Sequence, residues 1–210
     1  MTLKLFGAKT STCTRRVAVV CKELNIPYEL IPIDLPSGQH KSEEYRQKQP
    51  FGQVPVIDDN GFILFESRAI CRYLVRKYGK DSDLIPADLE KEALFEQASS
   101  IEQHNFDPYA YGIATEKVFK LRRGLKGNDE LAANLQETLV GKMKGYEAIL
   151  ENQKYLAGDT VTLADLFHLP YGTLITDGLH LDVLTATPHV SRWWKDISSR
   201  ASWQAVKDGA

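Results

Sequence analysis

The chain changes pattern near residues 79–88. Before that stretch, short β-like apolar runs alternate with helical ones. After it, nearly every apolar spacing is helical. Between the two lie Gly79, Asp81, Ser82, Asp83 and Pro86, a linker composition. A chain of 210 residues, 43% hydrophobic, has room for two small domains. The expected division is an α/β domain over 1–79, a linker over 80–88 and an all-helical domain over 89–210.

Leu3 to Phe6 alternates as a strand and ends at Gly7. Residues 13–24 put Val17, Val20, Cys21 and Leu24 on one helical face, with Asn25 and Pro27 as stops. Tyr28 to Ile33 alternates again. A polar stretch follows over 34–53, with a short helical turn around Glu43 to Lys48. Val54 to Ile57 and Phe62 to Phe65 flank Asp58 to Gly61, whose Asn60-Gly61 is a hairpin signal. Ser67 to Tyr78 reads as a helix with Ile70, Cys71, Leu74 and Val75 inward, closed by Gly79. The order β-α-β, polar excursion, β-β-α is the thioredoxin arrangement. Pro55 stands where a ladder donor is expected, so it is either an ordinary trans edge-strand proline or a cis one.

The second half predicts long helices over 89–122, interrupted at Asp107-Pro108, and over 128–153. Thr162 to Asp165 has capping-box form, with Asp165 in the place usually taken by Glu. Its helix runs to about Gly178, and another runs from Pro188 through Ser199.

The formal net charge is -2, and the basic residues are scattered. The densest run, Lys117 to Lys126, reads as a solvated helix end. Neither nucleic acid nor a membrane is an expected partner. Cys13, Cys21 and Cys71 cannot all pair, and the N-terminus does not resemble a signal. Free thiols and a cytoplasmic location are expected. No apolar run reaches the ~18 residues that a membrane helix needs, and no metal is expected.

Three weak signals carry chemistry. Ser11 lies between the first strand and the first helix, where unpaired N–H groups and a positive helix end favour an anion such as a thiolate. Its hydroxyl either caps the helix or donates to a bound sulfur. Glu66-Ser67 sits at a strand-to-helix junction, where Ser67 is expected to cap. There an acid takes an ammonium and the exposed N–H groups take a carboxylate. His40, Lys41 and Gln53 lie in the polar excursion and offer donors. Together these surround the ends of the strands, where α/β sheets gather ligands.

These stretches resemble the cytosolic glutathione transferases, most closely the phi class of plants and fungi. The resemblance spans essentially the whole chain. Its strongest pieces are Ser11 to Arg16, Gln49 to Pro55, Phe65 to Ile70, Tyr155 to Pro170, and Pro188 to Trp194 with Arg200 to Trp203. It implies a thioredoxin-like domain, an all-helical domain and a homodimer. It implies glutathione as co-substrate, held by Thr12, His40, Lys41, Gln53, Val54, Pro55, Glu66, Ser67 and Arg68. Ser11 is the implied catalytic group, Pro55 is implied to be cis, and Thr162 to Asp165 becomes a folding element. Thr10, Leu35, Phe106, Tyr109 and Ile113 line the implied acceptor pocket, and Phe51 is an implied dimer anchor. Where the family has a proline-containing run before Trp203, this chain has Ala201-Ser202, with only local consequences expected. The implied reaction joins glutathione to small hydrophobic electrophiles, with reduction of organic hydroperoxides as a side activity. Two rival roles are a carrier of hydrophobic ligands and thiol–disulfide exchange by Cys13. Helix geometry is expected to turn Cys13 away from the ligand.

Overall fold

A computed structural model describes residues 2–210. The chain forms two compact units: residues up to Ile85 together with Arg200–Ala210, and Pro86–Ser199. The expected division had placed residues 200–210 with the helical domain. They pack instead on the first unit. Arg200 donates to Glu23 through Nε and Nη2 at 2.6 and 2.8 Å, and the Ser202 hydroxyl reaches the same carboxylate.

The first unit runs β1 (Leu3–Gly7), α1 (Thr12–Glu23), β2 (Tyr28–Pro32), a tight turn of helix (Gln39–Lys41), α2 (Glu43–Arg46), β3 (Val56–Asp59), β4 (Phe62–Phe65) and α3 (Ser67–Tyr78). The sheet order is β2-β1-β3-β4. β1 and β2 pair in parallel, as a helical crossover permits, and the other neighbours are antiparallel. Leu3 and Leu5 of β1 are buried, as are Val17, Val20 and Cys21 of α1 and Ile70, Cys71 and Leu74 of α3. The hairpin turn has Asn60 at φ 56° and Gly61 at φ 91°, the backbone that Asn-Gly favours. β3 starts at Val56, two residues later than expected, after a cis Val54–Pro55 bond.

The helical unit contains α4 (Leu89–Asn105), α5 (Asp107–Ala114), α6 (Lys120–Arg122), α7 (Asp129–Asn152), α8 (Leu163–Phe167), α9 (Leu169–Thr173) and α10 (Pro188–Ser198). α11 (Ala201–Gln204) belongs to the first unit. The expected break before Pro108 is present. Two wider helical turns, Thr115–Phe119 and Leu174–Gly178, interrupt what periodicity alone reads as continuous helix. Asp165 is fully buried and accepts from Thr162 N–H at 2.9 Å, Thr162 Oγ1 at 3.0 Å, Leu156 N–H at 3.0 Å and Trp193 Nε1 at 2.9 Å. The capping box thus ties three separated pieces of chain to one carboxylate.

Candidate active site

Strand register decides where the chemistry gathers. Phe6 pairs with Val56, Val56 with Phe65, and Gly7 with Pro32. The segments after Gly7, after Pro32, before Val56 and after Phe65 therefore all leave one end of the sheet. They carry, in turn, Ser11; Leu35, His40 and Lys41; Gln53, Val54 and Pro55; and Glu66 and Ser67.

Ser11 is the N-cap of α1, with extended backbone and an Oγ that accepts from Thr14 N–H at 3.3 Å. Its own N–H donates to Ala8 O at 3.0 Å. A hydroxyl has one proton to give and two lone pairs to share. Capping uses a lone pair and leaves the proton for another group, so the cap and the sulfur donor are compatible roles. Thr12 opens α1 and is buried, which leaves its N–H as a first-turn donor.

Glu66 has φ 71° and ψ 107°, a backbone that side chains of its kind rarely adopt. That geometry makes Glu66 the flanking residue and starts α3 at Ser67. The expectation that Ser67 caps is therefore corrected. Its hydroxyl is buried and accepts instead from Arg16 Nη1 at 3.1 Å. Arg68 follows in the first turn of α3, half-buried.

His40 and Lys41 lie in the tight turn beside the loop that precedes the cis proline. Lys41 Nζ donates to Phe51 O at 3.0 Å. Gly52 has φ 60°, and a Cβ there would stand 2.7 Å from His40 O, so only glycine permits this approach. Gln53 N–H donates to Gln49 Oε1 at 3.2 Å, and Tyr45 OH donates to Gln53 O at 2.9 Å. Burial pushes the Tyr45 hydroxyl up to about 12, which keeps it a donor. Val54 packs against the buried cluster Ile33, Tyr45 and Val56. Sequence reasoning missed Tyr45 and Gln49 as supports; the only signal was a short helical turn preceding the Gln53 loop.

The residues expected to line an acceptor pocket fall in both units. In the first unit Thr10 is exposed, and Leu35 packs against the Ile33–Tyr45–Val56 cluster. In the helical unit Phe106 and Ile113 are fully buried, and the Phe106 ring centroid lies 4.7 Å from that of His168. Tyr109 is half-exposed.

Cys21 and Cys71 are buried, and burial pushes both thiols up, that of Cys71 to about 12. The Cys13 sulfur lies 3.7 Å from Arg16 Nη1, the nitrogen that also donates to Ser67. Cys13 therefore shares a partner with the Glu66–Ser67 junction. Among the described residues, no cluster of three or more His, Cys, Asp or Glu side chains has metal-holding geometry. No helix there is long and apolar enough to cross a membrane.

Residues 1–76 match the family model for the glutathione S-transferase N-terminal domain, and residues 89–201 match that for its C-terminal domain. Glutathione S-transferase PM239X14 of Arabidopsis thaliana is 50% identical over 92% of this chain and 90% of its own length. The crystal structure of glutathione transferase F7 from Populus trichocarpa superposes with a TM-score of 0.94, at 38% identity, over 98% of this chain and 97% of that one. Glutathione S-transferase I from Mais, in complex with an atrazine glutathione conjugate, superposes with a TM-score of 0.91, at 34% identity, over 99% of this chain and 97% of that one. With both domains matched in order and the plant relatives matched over at least nine-tenths of both chains, the chain belongs to the glutathione S-transferase family, in its phi class.

Proposed function

We propose that Ser11 donates its free hydroxyl proton to the bound glutathione sulfur, holds it as thiolate, and so enables attack on small hydrophobic electrophiles. The observation that carries this reading is the strand register, which brings the Ser11, Gln53–Pro55 and Glu66–Ser67 segments to one sheet end. In this reading Glu66 takes the γ-glutamyl ammonium, the first-turn N–H groups of α3 its carboxylate, and Val54 the cysteinyl backbone. Thr12 and Arg68 add donors at the two helix starts, while His40, Lys41 and Gln53 serve the glycine end. The Mais relative, whose structure holds a glutathione conjugate, supports an electrophile as the second substrate. Thr10 and Leu35 of the first unit offer it polar and apolar contact.

Magnitudes limit what Ser11 does alone. Lowering a thiol by ~2 units requires about 2.7 kcal/mol of preference for the anion. A hydrogen bond to a charged group contributes ~1.5–3 kcal/mol and the helix end ~0.3–1 kcal/mol, so no general base is needed. From a starting value near 8.5, the thiolate fraction at neutral pH rises roughly 25-fold. Nucleophilicity then falls about 6- to 10-fold, which leaves a gain of a few-fold. The larger share of the acceleration belongs to holding the electrophile beside the sulfur.

With a halogenated nitroarene, a carbon–sulfur bond forms and the carbon–halogen bond breaks, releasing halide. With a hydroperoxide, the thiolate takes the outer oxygen, and a second glutathione yields the disulfide, an alcohol and water. The Ser11→Ala variant should raise the pH at which bound glutathione ionises and reduce nitroarene turnover at least several-fold, while the protein is still retained on immobilised glutathione. Unchanged thiol titration with near-normal turnover would sink the assignment.

The Cys13 contact with Arg16 keeps a second reading, disulfide exchange, open to a direct test. If Cys13→Ser abolishes deglutathionylation of a mixed disulfide, that activity belongs to Cys13. A working homodimer in the cytoplasm completes the proposal.

A further inference from the structure

We infer that the C-terminal segment Arg200–Ala210 is a positioning element for Ser11, acting through Arg15 and Lys9. This rests on the reading that Ser11 activates the thiol. The segment follows the whole helical unit in sequence, yet it packs along α1 and touches both of its ends. At the far end, Arg200 and Ser202 hold Glu23. At the near end, the Arg15 guanidinium donates to Lys207 O and lies 5.8 Å from the centroid of the buried Trp203 ring. Beyond it, Ala210 N–H donates to Lys9 O at 3.0 Å. Gly209 lies directly against the Lys9 side chain.

Lys9 and Arg15 bracket Ser11. Between them the turn is shaped by local bonds: Ser11 N–H to Ala8 O at 3.0 Å, Thr14 N–H to Ser11 Oγ at 3.3 Å, and Arg15 N–H to Ser11 O at 2.9 Å. These set the shape of the turn, while the β1 register and the Arg16–Ser67 hydrogen bond set where α1 starts relative to the site. The C-terminal segment adds one further tie on each side of Ser11. Positional error matters here, because a displacement of about 1 Å in a reacting group costs on the order of a hundredfold in rate. The glutathione ends are held on other segments, Glu66–Ser67 and His40–Lys41. Loosening this brace should therefore affect ionisation and turnover more than binding.

The experiment compares Arg15→Ala, Arg15→Lys, Ser11→Ala and the Arg15→Ala/Ser11→Ala double variant. It measures the pH of thiol ionisation in the glutathione complex, kcat, the glutathione KM and the thermal midpoint. Arg15→Ala should raise the ionisation pH and lower kcat about tenfold, most of that loss coming from misplacement of the sulfur relative to the electrophile and not from the ionisation shift itself. The glutathione KM should change by less than roughly twofold. Arg15→Lys keeps a cation over the Trp203 face and should recover most of kcat. If the brace acts through Ser11, the double variant is no worse than Ser11→Ala.

A lower thermal midpoint in Arg15→Ala with wild-type titration and kcat overturns the inference, because the contact is then only structural. So does an equal further loss when Arg15→Ala is added to Ser11→Ala. The two readings fail differently. If Ser11→Ala leaves the titration unchanged, the assignment of Ser11 falls and takes the brace with it. If Ser11→Ala shifts the titration and Arg15→Ala does not, only the brace falls.

Discussion

Glu66, the proposed partner of the γ-glutamyl ammonium, stands in a costly backbone conformation. Its φ of 71° places a non-glycine residue in a region costing about 1–3 kcal/mol. The geometry leaves Glu66 exposed and starts α3 at the buried Ser67. Glu66→Gly removes the steric cost and adds ~0.5–1 kcal/mol of unfolded-chain entropy. The variant should therefore be more stable by up to about 2.5 kcal/mol in denaturant unfolding, while its glutathione KM rises several-fold if Glu66 is the ammonium partner proposed above. A loss of stability would mean that the backbone at Glu66 is not strained. At this scale the sequence was legible where local chemistry decides. Asn60-Gly61 announced its turn because those two residues favour positive φ by themselves. Glu66 and Ser67 did not, because Glu has no such preference. The fate of the Ser67 hydroxyl depends on Arg16, 51 positions away. Ser11 was legible as a choice between two roles, and hydroxyl valence allows both.

Among the elements, those carrying their own punctuation were readable. Pro108 broke the long helix, Gly79 closed α3, and Thr162 to Asp165 announced a cap. The return of residues 200–210 to the first unit was not readable, because its specificity lies in the Arg200–Glu23 pair, separated by 177 positions. That pair also gives the C-terminal brace a pH dependence. Burial alone would raise the Glu23 carboxyl. The Arg200 and Ser202 hydrogen bonds outweigh burial and hold it below the usual carboxylate range. A carboxyl depressed in the folded state stabilises fully above its unfolded value. That contribution disappears as pH falls through the folded value. The brace should thus be intact at neutral pH and weaken only below about pH 4. Glu23→Gln should cost about 1–2 kcal/mol at neutral pH. It should also flatten the acid side of the stability–pH curve relative to wild type. Parallel curves for the two proteins would remove Glu23 from the account.

For the whole molecule, the open question is what covers Phe51. The residue is 67% exposed, yet the loop beneath it is tightly held. Lys41 grips the Phe51 carbonyl, and the adjacent Gly52 sits against His40 O. The ring meets Phe65 edge-on, with centroids 6.4 Å apart, yet most of its surface stays outward on a fixed backbone, which suits an anchor in a partner's pocket. In a two-fold homodimer the contact occurs twice. Burying a phenyl side chain contributes ~1.5–3 kcal/mol, so losing both copies should raise the dimer dissociation constant by roughly a thousandfold. Sedimentation equilibrium should therefore find dimers for the wild type and mostly monomers for Phe51→Ser at micromolar concentration, with the far-ultraviolet spectrum unchanged. The same substitution tests whether assembly reaches the active site. Phe51 is two residues from Gln53 and its own carbonyl is the acceptor for Lys41, so freeing the ring from a partner should loosen the proposed glycine end of the glutathione site. A monomeric variant with a raised glutathione KM and an unchanged thiol ionisation pH would place that coupling in binding. A wild type that is itself monomeric, or a Phe51→Ser protein that remains dimeric, would remove Phe51 as the anchor.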